Sequence, residues 1–334
     1  MRVFCTGVSG SGRDDYLERA VEFAKKYDSD ISYHSIAKYL IEFDKKSGNS
    51  HNMDYILNLR ESQKANLVSG AYELLYKGIE NAKNALISSH AGFYWNEHFV
   101  SSLNDRHIKK INPDIFVTII ESISTIQQRL NKRTQWSEQN LDLKILQFWQ
   151  NVEVVMTQQW ATFYDKPHFI IASSESPSYL VGLMFTNMKR VYVSYPMTHA
   201  KDAETKKEII KFIDKLKDYF LVNDPGTIEV NSDFETGGQT IHRDLEWYIN
   251  NNAELVIAYY PVAVPGVGVP VEMREASIAT KKVWFIAPEE LFQGQFEKVL
   301  VHKRFNSTEG FFSFCDEYLK ENQIKKWSEL NKDS

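Results

Sequence analysis

Residues 2–14 are Arg2-Val3-Phe4-Cys5-Thr6-Gly7-Val8-Ser9-Gly10-Ser11-Gly12-Arg13-Asp14, an apolar run followed at once by a glycine-rich loop. A short run rich in β-branched and aromatic residues that ends in glycines indicates a buried strand and a tight turn. The helix-length segment after it completes a strand–loop–helix unit, which is typical of α/β domains with parallel sheets.

Further apolar runs of the same kind recur along the chain, separated by helix-length stretches. The strands are expected at residues 85–88, 114–120, 168–172, 190–194, 219–223, 254–260 and 282–286. The helices of the later part are expected at residues 178–187, 203–216, 241–250, 271–280 and 310–330. This alternation predicts an α/β fold of two three-layer parallel-sheet domains. The predicted domains are residues 1–188 and a smaller Rossmann-like domain, residues 189–330.

The amino-acid composition limits the classes of protein to which the chain can belong. The 334 residues carry a formal net charge of −5, with 43% hydrophobic and 25% charged residues. Scattered basic residues on an acidic chain predict no nucleic-acid readout, and the apolar runs are too short to span a membrane. Two distant cysteines and no signal peptide favour the cytoplasm. The nine histidines lack zinc-ligand spacing, so neither a metal nor a cofactor is expected.

The glycine-rich loop has the frame of a phosphate-binding P-loop, G-x-x-x-x-G-K-[ST], with Gly7, Gly10 and Gly12 in place. Arg13 stands where the pattern has lysine, and Asp14 stands where it has a hydroxyl residue. Acidic residues at a helix N-terminus stabilise the helix and repel an anion. These replacements favour a vestigial loop, whereas a nucleotide site in which Arg13 contacts phosphate is the alternative.

Residues 1 to about 188 resemble the archaeal-type adenylate kinases. The resemblance rests on the opening strand and loop, on Ile87-Ser88-Ser89-His90-Ala91, and on Ile111-Asn112-Pro113-Asp114. It implies that Arg60 lies near a nucleoside monophosphate and that Arg129 and Arg133 are lid arginines. The missing P-loop lysine and hydroxyl, together with Ser88 in place of the family's acidic residue, predict a degenerate kinase fold.

A second glycine turn, Pro265-Gly266-Val267-Gly268-Val269-Pro270-Val271-Glu272, follows the apolar run at 254–260. A turn after a buried parallel strand lies at the sheet edge where α/β proteins build their sites. A carboxylate there, at the start of a helix, faces the crevice. Glu272 is therefore a candidate nucleophile for a sugar carbon.

Residues 190 to about 325 resemble the nucleoside 2-deoxyribosyltransferase superfamily, including its nucleotide N-hydrolase branch. Four segments carry the resemblance in order: residues 191–197, 241–245, 253–258 and 268–273. It implies that Glu272 is the nucleophile, that Asp244 holds the sugar hydroxyls or assists proton transfer, and that Tyr192 orients the Glu272 carboxylate. It also implies a homo-oligomer, and a substrate loop and pocket formed by Ser194, Tyr195, Pro196, Met197, Thr198, His199, Arg243 and Gly268.

The resulting prediction is an enzyme that cleaves the N-glycosidic bond of a nucleotide, (deoxy)nucleoside or NAD-like substrate, by hydrolysis or base transfer. A carboxylate that captures an oxocarbenium-like centre follows the logic of retaining glycosidases. Two alternatives stay open at this stage. One is an adenylate-type nucleotide kinase that uses the first domain, and the other is a non-catalytic nucleotide sensor or assembly subunit.

Overall fold

The computed structural model describes residues 1–26, 30–102, 104–137, 139–197, 203–228, 238–262, 267–289 and 299–330. Contacts divide these residues into one unit from Met1 to Pro177 and a second unit from Ser178 onward. The predicted functional domains, residues 1–188 and 189–330, stay a prediction.

The first unit is an α/β domain whose sheet has the strand order β2-β3-β1-β6-β7, with every pairing parallel. A separate antiparallel hairpin pairs β4 with β5. Its elements in chain order are β1 (Arg2–Thr6), α1 (Arg13–Ala24), β2 (Ile31–Ser35), α2 (Ile36–Lys46), α3 (Met53–Leu57), α4 (Glu61–Ile79), β3 (Asn84–Ser88), β4 (Gly92–Trp95), β5 (His98–Ser101), α5 (Asp105–Ile111), β6 (Ile115–Ile120), α6 (Ile123–Asn131), α7 (Thr134–Ser137), α8 (Leu143–Phe163) and β7 (His168–Ala172).

The second unit repeats this architecture with the strand order β12-β11-β10-β8-β9, again all parallel. Its elements are α9 (Pro177–Phe185), β8 (Arg190–Ser194), α10 (Ala203–Leu216), β9 (Leu221–Asn223), a 3₁₀ turn (Pro225–Thr227), α11 (Gly238–His242), a π-helical segment (Arg243–Asn252), β10 (Leu255–Tyr259), α12 (Gly268–Ile278), β11 (Lys282–Ile286), β12 (Lys303–Phe305), α13 (Thr308–Glu321) and α14 (Trp327–Leu330).

Local sequence explains where several helices begin. The side chains of Ser35, Ser122, Asp142 and Ser307 each accept a backbone N–H at the start of α2, α6, α8 and α13. Such caps satisfy donors that have no partner within the helix. The strands β3, β6 and β7 are buried at every residue, because parallel strands have both faces covered.

Each unit has its own apolar core. In the first unit, one cluster packs sheet residues such as Phe4, Ile87 and Phe116 against α4 and α5. A second cluster joins Val8 of the glycine loop to Trp136 and Trp149. In the second unit, β8 and β10 pack against α10 and α13 through a core that includes Phe212 and Phe311. The cores therefore fix the carboxyl ends of the central strands in both units.

The predicted fold class, α/β with parallel sheets in two domains, is confirmed. Predicted strands at 168–172, 190–194 and 282–286 match the observed bounds. The sequence did not indicate β2, the β4–β5 hairpin or β12. The helix predicted over 310–330 is interrupted between α13 and α14.

Candidate functional site

The glycine loop joins the carboxyl end of β1, the central strand, to the N-terminus of α1. Gly10 and Gly12 have φ values of 85° and 80°, in the left-handed region that favours glycine. Ser11 N donates to Val8 O at 3.1 Å, which closes a tight turn inside the loop. The Ser11 Oγ is buried and has no hydrogen-bond partner among the residues that the structure describes. The loop therefore has the strand–loop–helix geometry of a phosphate cradle and an unsatisfied hydroxyl in its interior.

Arg13, in the lysine position of the loop pattern, is buried at the start of α1. Its Nη1 donates to Gly7 O at 3.0 Å and, through a short contact, to Ser89 O. Its Nε lies 2.9 Å from Asp14 Oδ1, and Ser88 Oγ also donates to that oxygen. Burial raises the pKa of Asp14, but the Arg13 guanidinium and the hydroxyl groups of Ser88 and Tyr33 together lower it by more, so that this carboxyl is ionised at neutral pH. The cation of the loop is thus held by two carbonyls and one carboxylate.

Glu153, from the middle of α8, lies fully buried beneath the same loop. Its carboxylate accepts N–H groups from Gly7, Ala91 and Gly92 at 2.8–2.9 Å. Burial raises the pKa of Glu153 to about 7, although these three N–H groups and Arg13 lower it. A carboxylate with three backbone donors is satisfied in spite of its burial.

Arg129 brings a second cation to the loop from α6. Its Nη1 donates to Gly10 O at 2.9 Å, and its Nη2 lies 3.0 Å from Glu121 Oε2. Ser173 Oγ donates to the same Glu121 oxygen at 2.7 Å. The side chain of Arg129 is 41% exposed, so this cation is accessible from solvent. Arg133, the other predicted lid arginine, is exposed beyond the end of α6.

A second polar cluster lies at the carboxyl end of β8 in the other unit. Tyr192 Oη donates to Glu272 Oε1 at 2.9 Å, and Ser194 Oγ donates to Glu272 Oε2 in a short contact. Burial raises the pKa of Glu272 to about 7; the Ser194 hydroxyl opposes that rise, and Asp244 adds to it. Burial and the negative charge of Glu272 also raise the pKa of Tyr192 well above its usual value.

Asp244 lies in the π-helical segment beside this cluster and pairs with its neighbour Arg243, with Nε and Oδ1 2.8 Å apart. Burial raises the pKa of Asp244 even though Arg243 lowers it. Tyr195 Oη donates to Asp224 Oδ1 at 2.8 Å, just after β9. The ends of β8 and β9, the π-helical segment and α12 therefore supply one cluster of carboxylates and hydroxyls.

The structure brings together several predicted site residues of the second unit. Tyr192, Ser194 and Glu272 are in direct contact, and Arg243 and Asp244 form an ion pair near them. Pro196 is buried, whereas Met197 is 42% exposed and Gly268 begins α12. Thr198 and His199 lie outside the described residues. The assignment of these residues to a binding site stays a prediction, with its ligand unassigned.

Sequence reasoning missed Glu153, Glu121 and Asp224. Glu153 occurs on the apolar stripe of α8, between Trp149 and Thr157, and an acidic residue there is a detectable signal. Asp224 directly follows a buried strand, at a sheet edge where sites form. The partners of Glu153 are backbone groups, which no sequence pattern shows.

The parallel strand order of the first sheet and the glycine loop between β1 and α1 define the first unit as an α/β domain of the P-loop type. A family model described as an AAA domain matches residues 6–143. No curated protein matches the chain.

Several solved kinases align with this chain at low identity. Shikimate kinase from Bacteroides thetaiotaomicron is 12% identical over 65% of this chain and 97% of its own, with a TM-score of 0.32. Deoxyadenosine kinase from M. mycoides with dCMP and dCDP is 13% identical over 55% and 96%, with a TM-score of 0.30. The same kinase with dATP is 13% identical over 55% and 97%, with a TM-score of 0.31. Overlaps of this size identify no substrate for this chain.

The predicted N-glycosidic cleavage, whether as a hydrolase or as a deoxyribosyltransferase, is wrong. The family match lies on the P-loop unit, at residues 6–143, and describes an AAA domain rather than a glycosidase or deoxyribosyltransferase. A loop of N–H donors at a helix N-terminus suits phosphate rather than a sugar carbon.

Within the described ranges, no group of three or more His, Cys, Asp or Glu side chains is placed to hold a metal ion. In the same ranges, no helix is both long enough and apolar enough to cross a membrane.

Proposed function

We propose that the first unit is a P-loop kinase that binds a nucleoside triphosphate and transfers a phosphoryl group to a small nucleotide or nucleoside. The observation that carries the proposal is the glycine loop between the central strand and α1, which lies within the region matched by the family model. Backbone N–H groups at such a turn and helix N-terminus attract phosphate. The buried, unsatisfied hydroxyl of Ser11 offers one more donor in the interior of the loop.

Two arginines would supply the positive charge. Arg129 is half-exposed beside Gly10, and Arg13 occupies the lysine position but is held by carbonyl groups. Phosphoryl transfer requires cationic groups that offset the charge of the transferred phosphate. Arg129 is therefore expected to contact the phosphate chain first. Arg13 can contact it only if its guanidinium breaks its hydrogen bonds to the carbonyl groups of Gly7 and Ser89.

Kinases of this class use Mg²⁺, which binds one or two carboxylates together with phosphate oxygens. Asp14 is the oxygen donor at the position of the usual hydroxyl, and it is ionised and part-exposed. This donor fits a hard divalent cation, so Asp14 would hold the ion, which would offset the negative charge of the phosphate groups.

The class of acceptor follows from the resemblance to archaeal-type adenylate kinases, which implies a nucleoside monophosphate. Arg60 directly precedes α4, and its side chain is exposed. The resemblance implies that Arg60 contacts this acceptor.

The test is transfer of labelled γ-phosphate from ATP to a pool of nucleosides and nucleoside monophosphates, with products separated by chromatography. The wild type should label one acceptor class. Arg129→Met should lower kcat/KM about 10²–10³-fold, since a cation that stabilises transferring phosphate contributes several kcal/mol. Arg106→Met, an exposed arginine on α5, is the matched control. A wild type that labels no acceptor contradicts the proposal.

A second candidate function, nucleotide binding without turnover, is favoured by the ion pair between Arg13 and Asp14. In that arrangement the P-loop cation is neutralised by the residue beside it. The distinguishing result is calorimetric binding of ATP without any labelled product. The predicted homo-oligomer stays a proposal that light scattering of the pure protein tests.

A further inference from the structure

Glu153 contacts two loops at once. Its Oε1 accepts the N–H groups of Gly7 and Ala91 at 2.9 and 2.8 Å, and its Oε2 accepts that of Gly92 at 2.8 Å. Gly7 opens the glycine loop after β1, whereas Ala91 and Gly92 follow β3. These loops are neighbours because β1 and β3 pair directly, with Cys5 opposite Ser88.

Arg13 joins the same two loops through the opposite kind of group. It donates to the carbonyl of Gly7 and to that of Ser89. The Glu153 carboxylate thus accepts N–H groups from both loops, and the Arg13 guanidinium donates to carbonyl groups of both loops. Both polar groups of Gly7 are occupied in this way, which fixes the orientation of the first peptide of the glycine loop.

We infer that Glu153 is a positioning residue that holds the glycine loop and the Ala91–Gly92 backbone at one spacing, so that phosphate binding in the first loop depends on its ionised carboxylate. The phosphate part of this inference rests on the proposed function. Because the N–H of Gly7 is already bound, the donors for phosphate come from the N–H groups that follow it in the loop.

The ionised carboxylate holds the three donors most strongly, because hydrogen bonds to a charged acceptor are about twice as strong as those to a neutral one. A proton on the carboxyl removes this charge, and all three N–H···O bonds then weaken. Burial raises the pKa of Glu153 to about 7, so the carboxyl gains or loses this proton near neutral pH.

The ionisable groups around Glu153 do not remove this effect. His90, after β3, has its Nδ1 3.9 Å away, and burial lowers its pKa to about 3, so it stays neutral. Arg13, from α1, stays charged. A chain of threonine hydroxyl groups links His168 on β7 to α8, and burial lowers the pKa of His168 to about 3. The strand β6 has no ionisable side chain, and Arg129 on α6 binds Gly10 and Glu121.

The first experiment uses the wild type without ligand. The Glu153 carboxyl is titrated by ¹³C NMR while hydrogen exchange of the Gly7, Ala91 and Gly92 amides is followed over pH 5.5–8.5. After correction for intrinsic exchange, protection of the three amides should fall together, about tenfold, at the midpoint of Glu153. The inference is overturned if the carboxyl titrates while the amides do not respond.

The second experiment measures ATP affinity across the same pH range for the wild type, Glu153→Gln and the control Glu73→Gln. The ratio of wild-type to Glu153→Gln affinity should fall about three- to tenfold from pH 8.5 to 5.5, since only the wild type loses its carboxylate. Comparing the two proteins cancels the titration of ATP itself. A ratio that is independent of pH overturns the inference.

A different result is expected if the proposed function is wrong. In that case the wild type binds no ATP at any pH, and the ligand-free exchange experiment alone decides whether Glu153 positions the loops. If Glu153→Gln does not fold, the wild-type carboxyl is titrated with and without ATP. Its midpoint should shift to lower pH by about 0.5–1 unit when ATP binds, and an unchanged midpoint overturns the inference.

Discussion

Both units contain a pair of adjacent residues, arginine then aspartate, at the carboxyl edge of a parallel sheet, yet the two pairs behave in opposite ways. The pKa of Asp14 is lowered and that of Asp244 is raised, although each carboxylate lies 2.8–2.9 Å from its arginine. The side chain of Asp14 is 42% exposed, whereas that of Asp244 is 6% exposed. Greater solvent access and the hydroxyl groups of Ser88 and Tyr33 therefore accompany the lowered pKa of Asp14. Deeper burial and the charge of Asp224 raise the pKa of Asp244.

The largest expected effect comes from removing each arginine. Arg243→Met should lower the unfolding free energy of the second unit by about 3–5 kcal/mol at pH 8, because Asp244 is left buried without its cation. Arg13→Met should cost the first unit only about 2 kcal/mol, since water reaches Asp14 and Ser88 still donates to it. Hydrogen exchange of peptides from each unit measures both losses separately.

The control for this comparison is the double variant Arg243→Met/Asp244→Leu, which should recover most of the stability. Equal losses in the two single variants would contradict the role assigned to solvent access.

The two buried glutamates give the next effect, a dependence of stability on pH. Folding raises the pKa of Glu153 and Glu272 from about 4.5 to about 7. A carboxyl with a raised pKa binds more protons in the folded state, so its contribution to stability falls as pH rises from about 4.5 to about 7. Each site should contribute about 3 kcal/mol to this fall.

Glu153→Gln should remove the fall from the first unit alone, and Glu272→Gln should remove it from the second unit alone. Hydrogen exchange of each unit at pH 5 and pH 8 measures the difference. If either variant changes the pH dependence of both units, the two sites are not independent.

A smaller effect is expected from the hydroxyl that binds Glu272. Tyr192→Phe should lower the unfolding free energy of the second unit by about 1 kcal/mol, and it should raise the pKa of Glu272 further by removing a donor to its ionised form. The midpoint of Glu272 in a ¹³C NMR titration reports this change. Tyr259→Phe, which removes a hydroxyl from Glu208 instead, should leave that midpoint in place.

The smallest effect concerns the unsatisfied hydroxyl of Ser11. Ser11→Ala should stabilise the ligand-free first unit by up to about 1 kcal/mol, since a buried polar group without a partner is costly. The same variant should weaken ATP binding if the hydroxyl contacts phosphate. Thermal unfolding with and without ATP measures both changes, and a destabilised ligand-free protein would show that Ser11 has another role.

Sequence predicted the fold best where burial is complete. β7 and β8 match their predicted bounds because apolar residues occupy their inner positions. The strand β2, Ile-Ser-Tyr-His-Ser, is too polar to be distinguished from a loop. The predicted helix over 241–250 is observed as α11 followed by a π-helical segment, whose wider turn a 3.6-residue period does not describe.

The sequence predicted more of the candidate site in the second unit than in the first. The contact between Tyr192 and Glu272 joins side chains at positions that the sequence pattern singled out. The first unit depends on Glu153 and Arg13 binding backbone groups of loops that are about 60 to 150 residues distant in the chain. Backbone partners leave no residue type to recognise, so only three-dimensional structure shows them.

The central position of β1 has a consequence for synthesis of the protein. This strand is synthesised before both of its neighbours, β3 and β6, which end at residues 88 and 120. Until both have emerged, its backbone edges have no partner, and an unpaired apolar strand is prone to aggregate. Nascent chains truncated before residue 120 are therefore expected to require chaperones, whereas longer chains can bury β1 within the sheet.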